Sequence, residues 1–231
     1  MVDPMKLDGP RATLACGQCH SIWGFRSLED KLAWNREGTQ FQPGDNKLVP
    51  RWMIEPTMAD ASDELRQELQ TYNAGYFDNR FWSDGMVRVT GREMNGVMES
   101  PCFEGGEYSC MPCHEMHPDD PSPEVLASWR AGQMRTDHGN GNTNQDCLQC
   151  HETIEQDIAA HTFHAPESVG SSCYDCHRPH TSYGLLRGVR SHQMSSPTSR
   201  ESIETGRPNA CNLCHLDETL EWTADHLKQW Y

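Results

Sequence analysis

The chain has 231 residues, of which only 35% are hydrophobic; Gly and Pro together supply 32, and the mean hydropathy is −0.78. That is lean for one or two ordinary domains with cores of side chains alone, so apolar surface must come from elsewhere. The net charge of −15 and pI near 5.1 exclude a nucleic-acid partner, which needs a basic face, and suit basic partner proteins or cations, or simply solubility.

In chain order, the first feature is Cys16-x-x-Cys19-His20, and the same Cys-x-x-Cys-His pattern returns at Cys110–Cys113–His114, Cys147–Cys150–His151, Cys173–Cys176–His177 and Cys211–Cys214–His215. Ten of the eleven cysteines fall in these five copies. Two thiols three residues apart lie on one side of a helical turn. They can add to the two vinyl groups along one porphyrin edge, and the histidine that follows can reach the iron as proximal ligand. The pattern is the attachment signature of c-type haem. Zinc would need Cys₄ or Cys₂His₂ pairings that five half-sites cannot all complete. A thioredoxin-like site would use one copy beside a βαβ pattern, and a disulfide scaffold would not place histidine after the second cysteine five times. The expectation is therefore five haems, ten cysteine attachments and five proximal histidines. With about 46 residues per motif, the haems must lie close together, and their faces would supply the missing apolar core.

The intervals between first cysteines are 94, 37, 26 and 38 residues. The first motif thus stands apart from a dense block over residues 101–231, in one domain spanning 1–231. Between them, residues 21–100 hold no histidine but four of the seven tryptophans, Trp23, Trp34, Trp52 and Trp82. This insertion can donate no imidazole; its expected task is to cover the first haem or form a partner surface. Within it Leu65, Leu69, Tyr72 and Tyr76 recur at helical spacing after Asp60 and Ser62, both plausible caps. Met86–Thr90 reads as a short strand ending in a turn at Gly91, the minor β element of a mostly α, loop-rich fold wrapped around cofactors. Cys102, the cysteine outside the motifs, reads as a small buried residue; a cross-link or a reactive thiol is the alternative.

Downstream, Ser122-Pro123-Glu124 starts a helix through Trp129 that ends at Gly132. His138 to Asp146 reads as a loop. Glu152 to His161 reads as one helix with Ile154, Ile158 and His161 on a single face. Leu185, Val189 and His192 share i, i+4, i+7 spacing. The last sixteen residues read as a helix capped by Asp217.

Twelve histidines are present, five of them in motifs. The other seven are His117, His138, His161, His164, His180, His192 and His226, all within or after the dense block. Five haems need at most five distal ligands, so every iron could be bis-histidine with two histidines to spare. The best placed are His117, on a short segment after His114; His161 and His164, in HTFH; His192; and His138, in a Gly-Asn loop that could fold over a haem. His180 and His226 rank lower, His226 because it faces away from Leu220 and Leu227. Methionine is the other possible sixth ligand, with Met111, Met116, Met134 and Met194 near motifs. Full bis-histidine ligation leaves no open position on iron and implies electron transfer rather than substrate binding.

The segments CMPCHEMH (110–117), DCLQCH (146–151), HTFH (161–164), SSCYDCHRPH (171–180), and SHQMSSP with RPNACNLCH (207–215) resemble those of multihaem c-type cytochromes, in particular exported electron carriers and subunits of extracellular cytochrome filaments. The resemblance implies distal roles for His117, His161, His164 and His192, redox proteins as partners, and, as an alternative, copies of the chain itself in a polymer. It also implies a periplasmic or extracellular location. No run approaches the ~18–20 apolar residues of a membrane span, and Met1-Val2-Asp3-Pro4 lacks the regions of a signal peptide, so the sequence reads as the mature or trimmed form of an exported chain. Pentahaem nitrite reductases share the haem count but use a lysine-ligated haem; there is no Cys-x-x-Cys-Lys here. Hydroxylamine-oxidising relatives carry more haems and a tyrosine cross-link that this sequence does not place. Both departures argue against an enzyme. A small-molecule reductase or a subunit docked on a membrane complex are the remaining alternatives.

Overall fold

The structure is a computed structural model, and it describes residues 4–46, 51–56, 63–104, 108–114, 120, 122–131 and 144–231. It is mostly helical, with long irregular connections and two small sheets. After a 3-10 turn at Pro4–Lys6, helix α1 (Gly9–His20) begins under an Asp8 cap that accepts the Arg11 N–H at 3.0 Å, with Pro10 in its first turn. Proline costs nothing there, because the first-turn N–H groups have no helical partner. The helix ends on the first motif, Cys16 to His20.

Strand β1 (Trp23–Phe25) pairs antiparallel with β2 (Arg51–Met53), Gly24 opposite Trp52. Between them α2 (Leu28–Glu37) starts at Ser27, whose hydroxyl accepts from Asp30 N–H, and ends at Gly38, whose φ of 75° few side chains tolerate. Helix α3 (Asp63–Tyr72) follows; Asp60 and Ser62 lie outside the described residues, and Tyr76 lies beyond the helix end. Ile22, Ile54, Phe81 and Val87 form an apolar cluster with Trp52, Leu69, Tyr76, Phe77 and Val89 packed around it.

Met86–Thr90 is not a regular strand. It is extended and makes isolated bridges, Phe81 to Val87 and Val89 to Tyr183, and the chain turns at Gly91 with φ 78°. Helices α4 (Glu93–Met98) and α5 (Pro101–Glu104) complete this region, and Cys102 on α5 is exposed, not buried. A four-residue helix is too short to bury one face, so the position of Cys102 follows the end of the chain's packed segment at Ser100.

Helix α6 (Pro123–Ala131) has the expected start, with Val125 N–H on the Ser122 hydroxyl at 3.4 Å. Helix α7 (Gln145–Leu148) occupies what the loop expectation assigned to residues 145 and 146. The single helix expected over 152–161 is broken into α8 (Glu152–Glu155) and α9 (Ile158–Thr162), because Asp157 turns to cap Ala160 N–H at 2.9 Å. A 3-10 turn at Val169–Ser171 leads into α10 (Cys173–His177). Leu185 and Val189 are not helical: β3 (Ser182–Gly184) and β4 (Arg187–Val189) form a hairpin whose tip, Leu185 and Leu186, has positive φ. Helix α11 (Ser199–Thr205) and a 3-10 turn at Cys211–Leu213 precede α12 (Leu220–Trp230). The α12 cap is Thr219, which accepts Trp222 N–H at 3.1 Å, not Asp217.

Among the described residues the buried side chains include 12 apolar and 15 polar or charged ones. No helix among them is long and apolar enough to cross a membrane.

Candidate haem-binding site

Each motif forms one turn of helix. In the first and fourth the turn belongs to α1 and α10. In the others the histidine N–H closes on the first cysteine's carbonyl: His114 on Cys110 at 2.9 Å, His151 on Cys147 at 3.0 Å and His215 on Cys211 at 2.9 Å. The turn puts both thiols and the imidazole on neighbouring faces, the geometry that the attachment chemistry requires.

Three of the expected distal histidines lie opposite motif histidines. His192 faces His114 with ring centres 6.2 Å apart and planes 14° from parallel. His161 faces His177 at 6.1 Å and 13°. His164 faces His215 at 6.0 Å and 40°. A metal–imidazole bond of about 2 Å on each side, plus about 1.1 Å from nitrogen to ring centre, spans about 6 Å across one iron. His117 and His138 lie outside the described residues. His180 is exposed, and His226 lies on Trp222, with centres 4.1 Å apart; neither is paired with a motif histidine among the described residues. Of the five non-motif histidines among the described residues, His180 and His226 are the two outside the pairs.

Hydrogen bonds at Nδ1 set the tautomers. His164 Nδ1 donates to Thr162 O at 2.6 Å, and His177 Nδ1 donates to Ser195 O at 2.9 Å. A carbonyl only accepts, so the lone pair in each ring stays on Nε2, the nitrogen free to bind a metal. Burial, reinforced by Arg178 and His114, pushes His192 down to about 3, and burial with His177 and His151 lowers His161. Both are neutral imidazoles at ordinary pH, as ligation demands.

Short, local contacts seat these rings. A Cβ on Gly170 would lie 2.2 Å from His164 Cδ2. One on Gly96, in α4, would lie 2.7 Å from Gln193 N and 3.0 Å from His192 C. The Ser100 hydroxyl accepts Met194 N–H at 2.9 Å and donates to Gly96 O at 2.9 Å, tying α4 to the His192 loop. The Asn144 side chain donates to Ser171 O and accepts Cys173 N–H, at 2.7 and 2.9 Å, fastening the third motif to the fourth. None of these residues is a metal-ligand type, so nothing in the sequence marks them.

The motifs touch in sequence order. The Cys16 and Cys110 thiols hydrogen-bond each other, as do those of Cys147 and Cys173. In each pair the hydrogen bond lowers one thiol and raises the other, since two sulfurs share one proton. Cys113 lies close enough to raise Cys147, and burial with Cys211 pushes Cys176 up to about 11. The first motif, 94 residues from the second in sequence, is its immediate neighbour in space.

Apolar side chains crowd the exposed ground beside the motifs. Phe163, Val169, Leu213 and Leu216 are all exposed there. Phe163 stacks on Trp230 at 4.6 Å and 4°, and Trp222 lies 4.8 Å from His215. Flat, rigid and apolar walls around paired imidazoles and paired thiols fit a porphyrin. No group of three or more His, Cys, Asp or Glu suited to a metal ion occurs among the described residues. No protein-family model, curated protein or solved structure matches the chain.

Proposed function

We propose that this protein is an electron-transfer protein carrying five covalently attached c-type haems. The observation that carries the reading is the recurrence of a 6.0–6.2 Å imidazole pair at three separate motifs, each joining a Cys-x-x-Cys-His histidine to a distant one.

When bound, the haems supply one-electron redox chemistry at iron. The chain's own residues do the rest. Cys16, Cys19, Cys110, Cys113, Cys147, Cys150, Cys173, Cys176, Cys211 and Cys214 fix the cofactors covalently. His20, His114, His151, His177 and His215 are proximal ligands; His192, His161 and His164 are the distal ligands of the second, fourth and fifth sites. His117 and His138 are proposed for the two sites left, those of His20 and His151. HTFH supplies ligands to the fourth and fifth sites from positions three apart, which keeps those sites adjacent. Two imidazoles per site exclude substrate from iron, so the reading is a carrier and not an enzyme, exported to the compartment where c-type haem is attached, with redox proteins as partners.

The test is the intact mass and the reduced-state spectrum of the protein produced in a host that matures c-type cytochromes. Five covalent haems and a spectrum unchanged by carbon monoxide are expected. A chain that leaves the maturation system with fewer than five haems, or that binds carbon monoxide at most of them, would contradict the proposal.

A further inference from the structure

His20 is held differently from His164 and His177. His20 Nδ1 lies 2.7 Å from the Glu93 Oε2 carboxylate oxygen, where His164 and His177 face neutral carbonyls. Glu93 is firmly placed. Its other oxygen accepts Gly91 N–H at 2.7 Å, and Gly91 holds the turn with φ 78°. Two residues on, the buried Asn95 side chain accepts Ile22 N–H at 2.8 Å and donates to Ile54 O at 2.9 Å, which locks α4 to the β1–β2 end. Met94 packs so tightly on Gly17, between the cysteines of the first motif, that a Cβ there would lie 1.9 Å from its sulfur. Both Glu93 carboxyl oxygens thus have a partner, one the His20 ring and the other the Gly91 N–H.

We infer that Glu93 is the positioning residue of the first haem, holding His20 so that Nε2 faces iron and lowering that haem's potential below what a carbonyl partner would set. The inference rests on the five-haem reading above. A charge-assisted hydrogen bond is stronger than a neutral one. A carboxylate on the far nitrogen of a metal-bound imidazole increases the ligand's basicity and so favours ferric over ferrous iron. Arg92, whose guanidinium reaches Cys19 O at 3.2 Å, is a cation acting in the opposite sense. It reaches a backbone oxygen, whereas Glu93 touches the ligand ring itself.

The experiment is a spectropotentiometric titration of the haem-loaded full chain, comparing wild type with Glu93→Gln and Glu93→Ala. Glutamine keeps the shape and an acceptor oxygen but removes the charge. In E93Q one of the five haems is expected to become easier to reduce by at least tenfold in its equilibrium constant, about 59 mV for one electron, while the other four and the haem count stay unchanged. E93A is expected to shift the same haem and also to lower the melting temperature, which E93Q largely restores. If the role were only structural, glutamine would restore both the melting temperature and the potential. Five haems with a wild-type titration in E93Q would overturn the inference and leave the five-haem reading standing; a wild-type protein short of five haems would overturn that reading itself.

Discussion

The paired imidazoles depend on residues too small to attract notice. Gly170 is the sharpest case. It sits in the 3-10 turn before the fourth motif, and a methyl group there would press into the His164 ring, 2.2 Å from Cδ2 and 2.5 Å from Cγ. The ring can escape only by swinging away, which breaks its 2.6 Å bond to Thr162 O and separates it from His215. Gly170→Ala should therefore open one iron. Carbon monoxide binding by the reduced protein is expected to rise by one haem equivalent, with haem content unchanged and a stability loss of about 1–3 kcal/mol from overpacking. Carbon monoxide binding equal to wild type would show that His164 is not the fifth site's distal ligand.

At the scale of elements, α4 joins two sites. Its first residue holds His20, its second packs on Gly17, and Gly96 lies against the backbone at His192. A six-residue helix packed so closely is a spacer between the first and second motifs. Gly96→Ala places its methyl against backbone atoms on the other segment, which cannot rotate aside as the end of a side chain could. We expect a loss of about 1–3 kcal/mol in denaturant melts, together with a changed low-spin electron paramagnetic resonance signal from the His114–His192 site. Unchanged spectra with a lowered melting point would mean that α4 supports the fold without setting the ligand.

The same scale explains what sequence reading could and could not reach. The motif turns were legible because five identical patterns impose one local geometry. The three distal partners were legible as candidates because histidine is scarce enough for position to matter. Partner identity was not, since it depends on how loops return. The broken helix at Asp157 and the β-hairpin before His192 show the limit: side-chain capping overrode an apolar period of 3.6 in one, and a two-residue turn overrode it in the other. The insertion over 21–100 read as a cover because it holds no ligand. Its second contribution, contact with His20 and with the His192 backbone through α4, comes from a carboxylate and a glycine that carry no haem signature of their own.

Across the described residues, electrostatic influence between thiols runs from Cys16 to Cys110, from Cys113 to Cys147, from Cys147 to Cys173 and from Cys176 to Cys211. The five motifs thus follow one another in space as they do in sequence, and under the proposed five-haem reading each cofactor face would replace part of a core that a chain with few apolar residues lacks. The most direct measurement is an experimental structure of the haem-loaded protein, resolved well enough to identify both axial ligands of every iron. The account predicts five irons, with His114 and His192 on one, His177 and His161 on another, and His215 and His164 on a third. Any of these pairs divided between two irons, or a motif without its haem, would contradict it.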